Sequence, residues 1–187
     1  MTEDPTTPIT AETATAPSSG PSAVSIPSPI GRLDLIAVDG ALVEIRFGEG
    51  APQPETVPVG TCPVLDRAAT QLGEYFAGTR TEFDLPLAPA GTTFQSEVWG
   101  VLRQIPYGET ITYGEQAGRL GDRNKSRAVG AANGKNPIPI VVPCHRVVGA
   151  NGHLTGFAGG LDLKAWLLDH ERRNSVTGGV DRTGHVR

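Results

Sequence analysis

The segment at residues 137–148, Pro-Ile-Pro-Ile-Val-Val-Pro-Cys-His-Arg-Val-Val, constrains this chain more than any other. Its β-branched residues favour a strand. Its three prolines lack the N–H that a central strand must donate, which argues against a central strand. Pro143 also fixes its own φ and biases Val142 toward an extended conformation. The expectation is a short extended segment interrupted at Cys144, with the thiol carried on stiff backbone.

Cys144, His145 and Arg146 follow one another directly. A cysteine reacts as thiolate, and an ordinary thiol with a pKa of about 8.5 needs a base or a positive neighbour. His145 is adjacent, but neighbours on an extended segment face opposite sides. A bridging water would relieve that geometry, and an acidic residue on another element would fix the imidazole tautomer. The plain alternative is a buried cysteine acting as a small hydrophobe. Cys62, Cys144, His145, His153, His170 and His185 show no CxxC or HxxxH spacing, so no metal or other cofactor is expected. The local signatures of papain-like proteases are missing as well.

Residues 1–22 are rich in Thr, Ala, Pro, Ser and Glu and read as a disordered tail. Residues 23–90 read as a small α+β domain. Leu33 to Val38 and Leu42 to Phe47 flank Asp39-Gly40, a strong hairpin signal. Gly48 to Gly60 is a Gly/Pro-rich loop. Pro63 opens a helix with Val64, Leu65, Ala68, Ala69, Leu72 and Phe76 at helical spacing, ended by Gly78. Phe83 to Leu87 is expected to form a further strand. Residues 91–173 form the second domain and residues 174–187 a flexible tail. Two cysteines exclude a disulfide framework and point to a reducing, cytoplasmic setting. No apolar run approaches the roughly 18 residues that span a bilayer, and no signal-peptide pattern opens the chain.

In the second domain Thr92-Thr93-Phe94-Gln95 and Thr112-Tyr113-Gly114-Glu115 are capping boxes, each opening a helix. A third helix is expected from Lys125 to Asn133, with Gly134 as a left-handed C-cap. A last helix is expected from Asp162 to Arg173, with Leu163, Trp166, Leu167 and His170 at core spacing. Two short helices joined by a tight turn, the second basic, resemble a helix-turn-helix. Residues 1–90 carry 4 Lys/Arg against 12 Asp/Glu, whereas residues 91–187 carry 12 against 8. A local basic patch on an acidic protein can hold a phosphate backbone; a solvated helix face has the same composition. Ala128, Gly130, Ala131 and Ala132 would let the second helix approach another surface closely.

Pro143-Cys144-His145-Arg146-Val147, with Asn136-Pro137 before it and Gly159-Gly160-Leu161, Lys164, Leu167-Leu168 and Glu171 after it, resembles one family. This is the methylated-DNA–protein-cysteine methyltransferases, or O6-alkylguanine-DNA alkyltransferases, and the likeness is close from Phe94 to Glu171. It implies a ribonuclease H-like N-terminal domain followed by a mainly helical, winged-helix-like domain. It also implies a monomeric repair protein, with cooperative loading on DNA left open. Such a protein flips O6-alkylguanine, or O4-alkylthymine, out of double-stranded DNA and moves the alkyl group irreversibly to Cys144. His145, Glu171 and a water would generate the thiolate, Asn136 would orient the cysteine region, and Tyr113 would protonate the departing guanine. Arg127 would fill the gap left by the flipped base. Thr93, Gln95, Lys125, Ser126, Ala128, Gly130, Ala131, Lys135 and Arg146 would join it on the DNA side. Val147, Val148, Phe157, Ala158 and Gly159 would line the base pocket, with backbone carbonyls near Cys144 and Val147 reading the guanine edge. Lys164 would support the site loop. Phe157 stands where many relatives carry Tyr and Ala158 where some carry Ser, so a hydroxyl is missing from that loop. The rival reading is a helix-turn-helix DNA-binding module without chemistry.

Overall fold

The computed structural model describes residues 20–48 and 62–177. Residues 1–19 of the expected tail, 49–60 of the expected loop and 178–187 of the expected C-terminal tail lie outside the described residues.

Three antiparallel strands, β1 (Ser22–Ile26), β2 (Leu33–Val38) and β3 (Ala41–Phe47), form a sheet in sequence order. The first strand opens at Ser22, inside the stretch expected to be tail. The β2–β3 turn has positive φ at both Asp39 (49°) and Gly40 (76°), as a two-residue hairpin of matching twist requires. Helix α1 (Pro63–Phe76) starts with Pro at its first turn and lays Val64, Leu65, Ala68, Leu72 and Tyr75 into the core. The strand expected at 83–87 reduces to one parallel bridge between Leu42 and Leu87. Pro86 has no N–H, so the ladder there ends after Leu42 N donates to the Pro86 carbonyl (2.8 Å) and Ala88 N to the Leu42 carbonyl (2.9 Å).

The second half is helical. Helices α2 (Thr93–Leu102) and α3 (Tyr113–Arg119) both carry complete capping boxes, from Thr92/Gln95 and Thr112/Glu115. A 3-10 turn (Arg123–Lys125) leads into α4 (Ser126–Asn133), so Lys125 belongs to the turn rather than to the expected helix. Gly134 has φ −66° and is not a left-handed cap. The chain instead keeps turning, with Lys135 N on the Ala132 carbonyl and Asn136 N on the Asn133 carbonyl.

Three buried side chains rivet these helices together. Gln116 and Asn133 exchange two amide bonds (3.1 and 2.7 Å), Gln116 also reaches the Val98 carbonyl, and Trp99 Nε1 donates to the Ala132 carbonyl at 3.0 Å. Ala132 is thus core, while Ala128 and Ala131 stay exposed.

The proline-rich segment is not extended. Val142 N bonds back to the Ile138 carbonyl, and Ile140, fully buried, sits at φ 75°. For a β-branched residue this conformation costs about 1–3 kcal/mol and persists only where the surroundings impose it. A 3-10 turn (Cys144–Arg146) follows, then β5 (Val147–Val148), parallel to β4 (Ile111–Thr112). Helix α5 (Leu161–Thr177) runs past Arg173, into the stretch expected to be a flexible tail. One apolar core passes through both halves, from Leu33 and Leu72 to Val129, Ile140 and Leu167. Ile45 N of β3 donates to the Pro137 carbonyl at 2.8 Å, tying the sheet to the cysteine segment.

Candidate active site

The 3-10 turn departs from the expected extended geometry, and its stiffness has a source. Asn136 donates through Nδ2 to the Val142 carbonyl (2.7 Å) and accepts Ile138 N at Oδ1 (3.1 Å), closing the proline-rich loop on itself. The same Nδ2 lies 3.3 Å from Cys144 Sγ. One amide therefore fixes both the backbone and the thiol.

Helix α5 supplies the charge. Lys164, Leu167 and Glu171 share one fully buried face, so two ionisable groups are buried beside the expected stripe of Leu163, Trp166, Leu167 and His170. Glu171 Oε1 accepts His145 Nε2 (2.7 Å), Arg146 Nη2 (2.9 Å) and the Tyr75 hydroxyl (2.9 Å); Oε2 accepts Arg146 Nε (2.9 Å) and Gly108 N (3.0 Å). Burial alone would push this carboxyl up. The hydrogen bond from His145 and the charge-assisted pair with Arg146 outweigh it and hold Glu171 well below the usual carboxylate range.

An ionised Glu171 can only accept, so His145 Nε2 must carry the proton and Nδ1 must present a lone pair. Nδ1 is buried and has no hydrogen-bond partner among the described residues. Burial pushes the imidazole down, and the Glu171 bond restores only part of its basicity, so the ring rests neutral. Burial pushes the Cys144 thiol up, opposed by the Asn136 amide and the positive charge of Lys164. The resting state is a neutral thiol beside a neutral base, with a permanent cation behind the base.

Lys164 holds the other wall. Its ammonium donates to the Val147 carbonyl (2.6 Å) and the Thr155 carbonyl (2.7 Å), and burial lowers its proton affinity. The Tyr113 hydroxyl donates to the same Thr155 carbonyl at 3.0 Å, and its ring lies 5.8 Å below the ammonium. Val147 and Val148 are buried on β5. The Val147 carbonyl expected to read guanine already accepts Lys164, and that of Cys144 accepts Val147 N. Phe157 packs edge-on to His145 (6.4 Å) and against Phe47 (5.8 Å); Ala158 is exposed, and a Cβ on Gly159 would collide with the Leu163 side chain.

Two family models match the chain: the 6-O-methylguanine DNA methyltransferase ribonuclease-like domain over residues 24–89, and the DNA binding domain of the same name over residues 93–173. A methylated-DNA–protein-cysteine methyltransferase of Mycolicibacterium paratuberculosis is 50% identical over 152 residues, 81% of this chain and 92% of the relative. One of Methanosarcina acetivorans is 51% identical over 147 residues, 77% and 94%. Among solved structures, Mycobacterium tuberculosis O6-methylguanine methyltransferase superposes with TM-score 0.75 at 45% identity, covering 83% of this chain and 94% of that one. The Mycobacterium tuberculosis OGT complex with DNA gives 0.72 at 48%, covering 80% and 92%.

The chain belongs to the 6-O-methylguanine DNA methyltransferase family.

Against the family's expected DNA face, the described residues divide. Thr93, Lys125, Arg127, Ala128, Ala131 and Lys135 are exposed, and Gln95, Ser126 and Gly130 are half-buried. Gly130 faces the Tyr113 ring, where an added Cβ would make ordinary contact at 3.5 Å. The Gln95 side-chain Oε1 accepts Thr92 N in the capping box. Arg146 does not belong on that face. Its guanidinium is buried, clamps both Glu171 oxygens, donates to the Ile105 carbonyl at 2.7 Å and sits over the Tyr107 ring. Among these residues no cluster of three His, Cys, Asp or Glu forms that could hold a metal, and no helix is long and apolar enough to cross a membrane.

Tyr75 was missed from sequence. It lies on the α1 stripe next to Phe76, and the available signal was chemical: a tyrosine in a core-facing stripe needs a partner for its hydroxyl. Gly108 N gave no signal, because a backbone donor has no signature in composition.

Proposed function

We propose that this protein repairs DNA by direct reversal, taking the alkyl group of O6-alkylguanine, and of O4-alkylthymine, from flipped-out duplex DNA onto Cys144. His145 Nδ1 takes the thiol proton through a bridging water. The sulfur lone pair attacks the alkyl carbon, the C–O bond breaks, and its electron pair passes into the purine as Tyr113 delivers a proton to the guanine. A neutral guanine leaves and a thioether remains. A thioether is not readily hydrolysed, so each molecule acts once. Extruding the base costs a few kcal/mol of unstacking. Arg127, exposed at the start of α4, occupies the gap in the stack, while Ala128 and Ala131 let the helix lie close in the groove.

The observation that carries this reading is the orientation of His145. Glu171, kept ionised by Arg146, fixes Nε2–H and leaves an unpartnered buried lone pair on the turn that carries Cys144. A buried histidine serving only as packing would have both nitrogens satisfied. The solved relative in complex with DNA supports DNA as the partner.

The test is intact mass and peptide mapping after incubation with an oligonucleotide containing O6-methylguanine. The expected result is one methyl on Cys144, saturating at one per protein. Lesion DNA bound without any adduct would instead leave a helix-turn-helix binding module. Cys144→Ser is expected to abolish transfer and keep DNA binding.

A further inference from the structure

Tyr75 belongs to the N-terminal half and lies 96 positions from Glu171 in sequence, yet its hydroxyl reaches Oε1 at 2.9 Å. That oxygen also accepts His145 Nε2 and Arg146 Nη2. The phenol is held on all sides. It is fully buried, edge-on to Phe76 (5.3 Å) and Tyr107 (5.9 Å), tilted against Phe83, and its carbonyl accepts His170 Nε2 at 2.8 Å. Side chain and backbone of one residue thus grip two successive residues of α5. An ionised Glu171 can only accept, so the Tyr75 proton is directed at it.

We infer that Tyr75 is a positioning residue of the transfer reaction, its hydroxyl competing with His145 Nε2 for Glu171 Oε1 and so setting how strongly the carboxylate holds the imidazole. This rests on the proposed transfer to Cys144. Charged and titratable groups facing the pair are His145 and Arg146 from the 3-10 turn, His170 on α5 and Tyr107 after α2, with Lys164 and Cys144 beyond the imidazole. Without the phenol the carboxylate becomes a stronger acceptor and makes His145 easier to protonate. The base form then appears at higher pH.

The test is the single-turnover methyl-transfer rate of Tyr75→Phe against pH, beside wild type. The expected result is a rising limb displaced to higher pH, with the rate at a given pH on that limb reduced about three- to tenfold and the plateau unchanged. A 3-fluorotyrosine at position 75 keeps the ring and the packing but donates more strongly, so its limb is expected to move to lower pH. Opposite displacements for the two substitutions support the inference. An unmoved limb, with only the melting temperature lowered, would overturn it and leave Tyr75 as packing. If Tyr75→Phe does not fold, the fluorotyrosine protein decides alone. If wild type takes no methyl, the transfer reading fails separately. The inference is then decided by the NMR titration of the His145 ring in free protein, where an unchanged midpoint on substitution overturns it.

Discussion

At Glu171 a carboxylate loses all contact with water and stays charged because five donors surround it, two of them from the Arg146 guanidinium. The same arrangement makes the fold sensitive to acid. The folded-state pKa lies below the unfolded value of about 4.3, so the unfolded chain binds this proton first and stability falls as pH drops through that region. The expected contribution is about 1.4 kcal/mol of lost stability per pH unit below about pH 4. Urea midpoints between pH 6 and 3 measure it. Glu171→Gln should flatten this slope and, by leaving Arg146 buried without its counter-charge, cost about 3–5 kcal/mol at neutral pH. A variant as steep as wild type would assign the acid sensitivity elsewhere. None of these pairings could be read from residue type alone. Arg146 looks like a DNA contact in sequence because an arginine after Cys-His carries no mark of which way it points, and only Glu171, 25 positions later, turns it inward.

Elements were more legible, because what makes them is local. Asp39-Gly40 needs only its own backbone to form the hairpin, and the two Thr-led capping boxes close within four residues. The failures have different causes. Pro86 halts a strand that Phe83 to Leu87 otherwise suggests, and the segment before Cys144 is coiled by Asn136 and imposed burial rather than extended by its β-branched residues. Helix α4 separates local from tertiary roles. Val129, Ala132 and Asn133 face inward, while Ala128 and Ala131 touch solvent, so their small size has no packing reason within the described residues. Ala131→Leu is therefore expected to leave the melting temperature within the range of ordinary surface substitutions, about 0.5 kcal/mol. Duplex affinity should fall about tenfold, since overfilling a close contact costs about 1–3 kcal/mol. Melting curves and duplex titration check the pair. Unchanged affinity would remove this face from the DNA interface.

Across the whole molecule the two halves share one core. Tyr75 and Phe76 of α1 meet Trp166 and His170 of α5, with the Trp166 and His170 rings stacked at 5.0 Å. Ile45 holds the Pro137 carbonyl, and Phe47 touches Phe157. Denaturation is expected to be one cooperative transition. Both tryptophans lie in the second half, at 99 and 166, so their fluorescence reports that half while far-ultraviolet dichroism reports both. Coincident urea curves are the expected outcome; separated midpoints would show two independently melting units.

The tie between Ile45 and Pro137 also governs how the protein behaves in a crowded solution. Together with the bonds from Leu42 to Pro86 and Ala88, it occupies Leu42 N, Leu42 O and Ile45 N on the outer side of β3. A second molecule seeking to extend the sheet at β3 finds those three backbone groups already engaged, and covering an edge is one way folded sheets avoid growing into fibres.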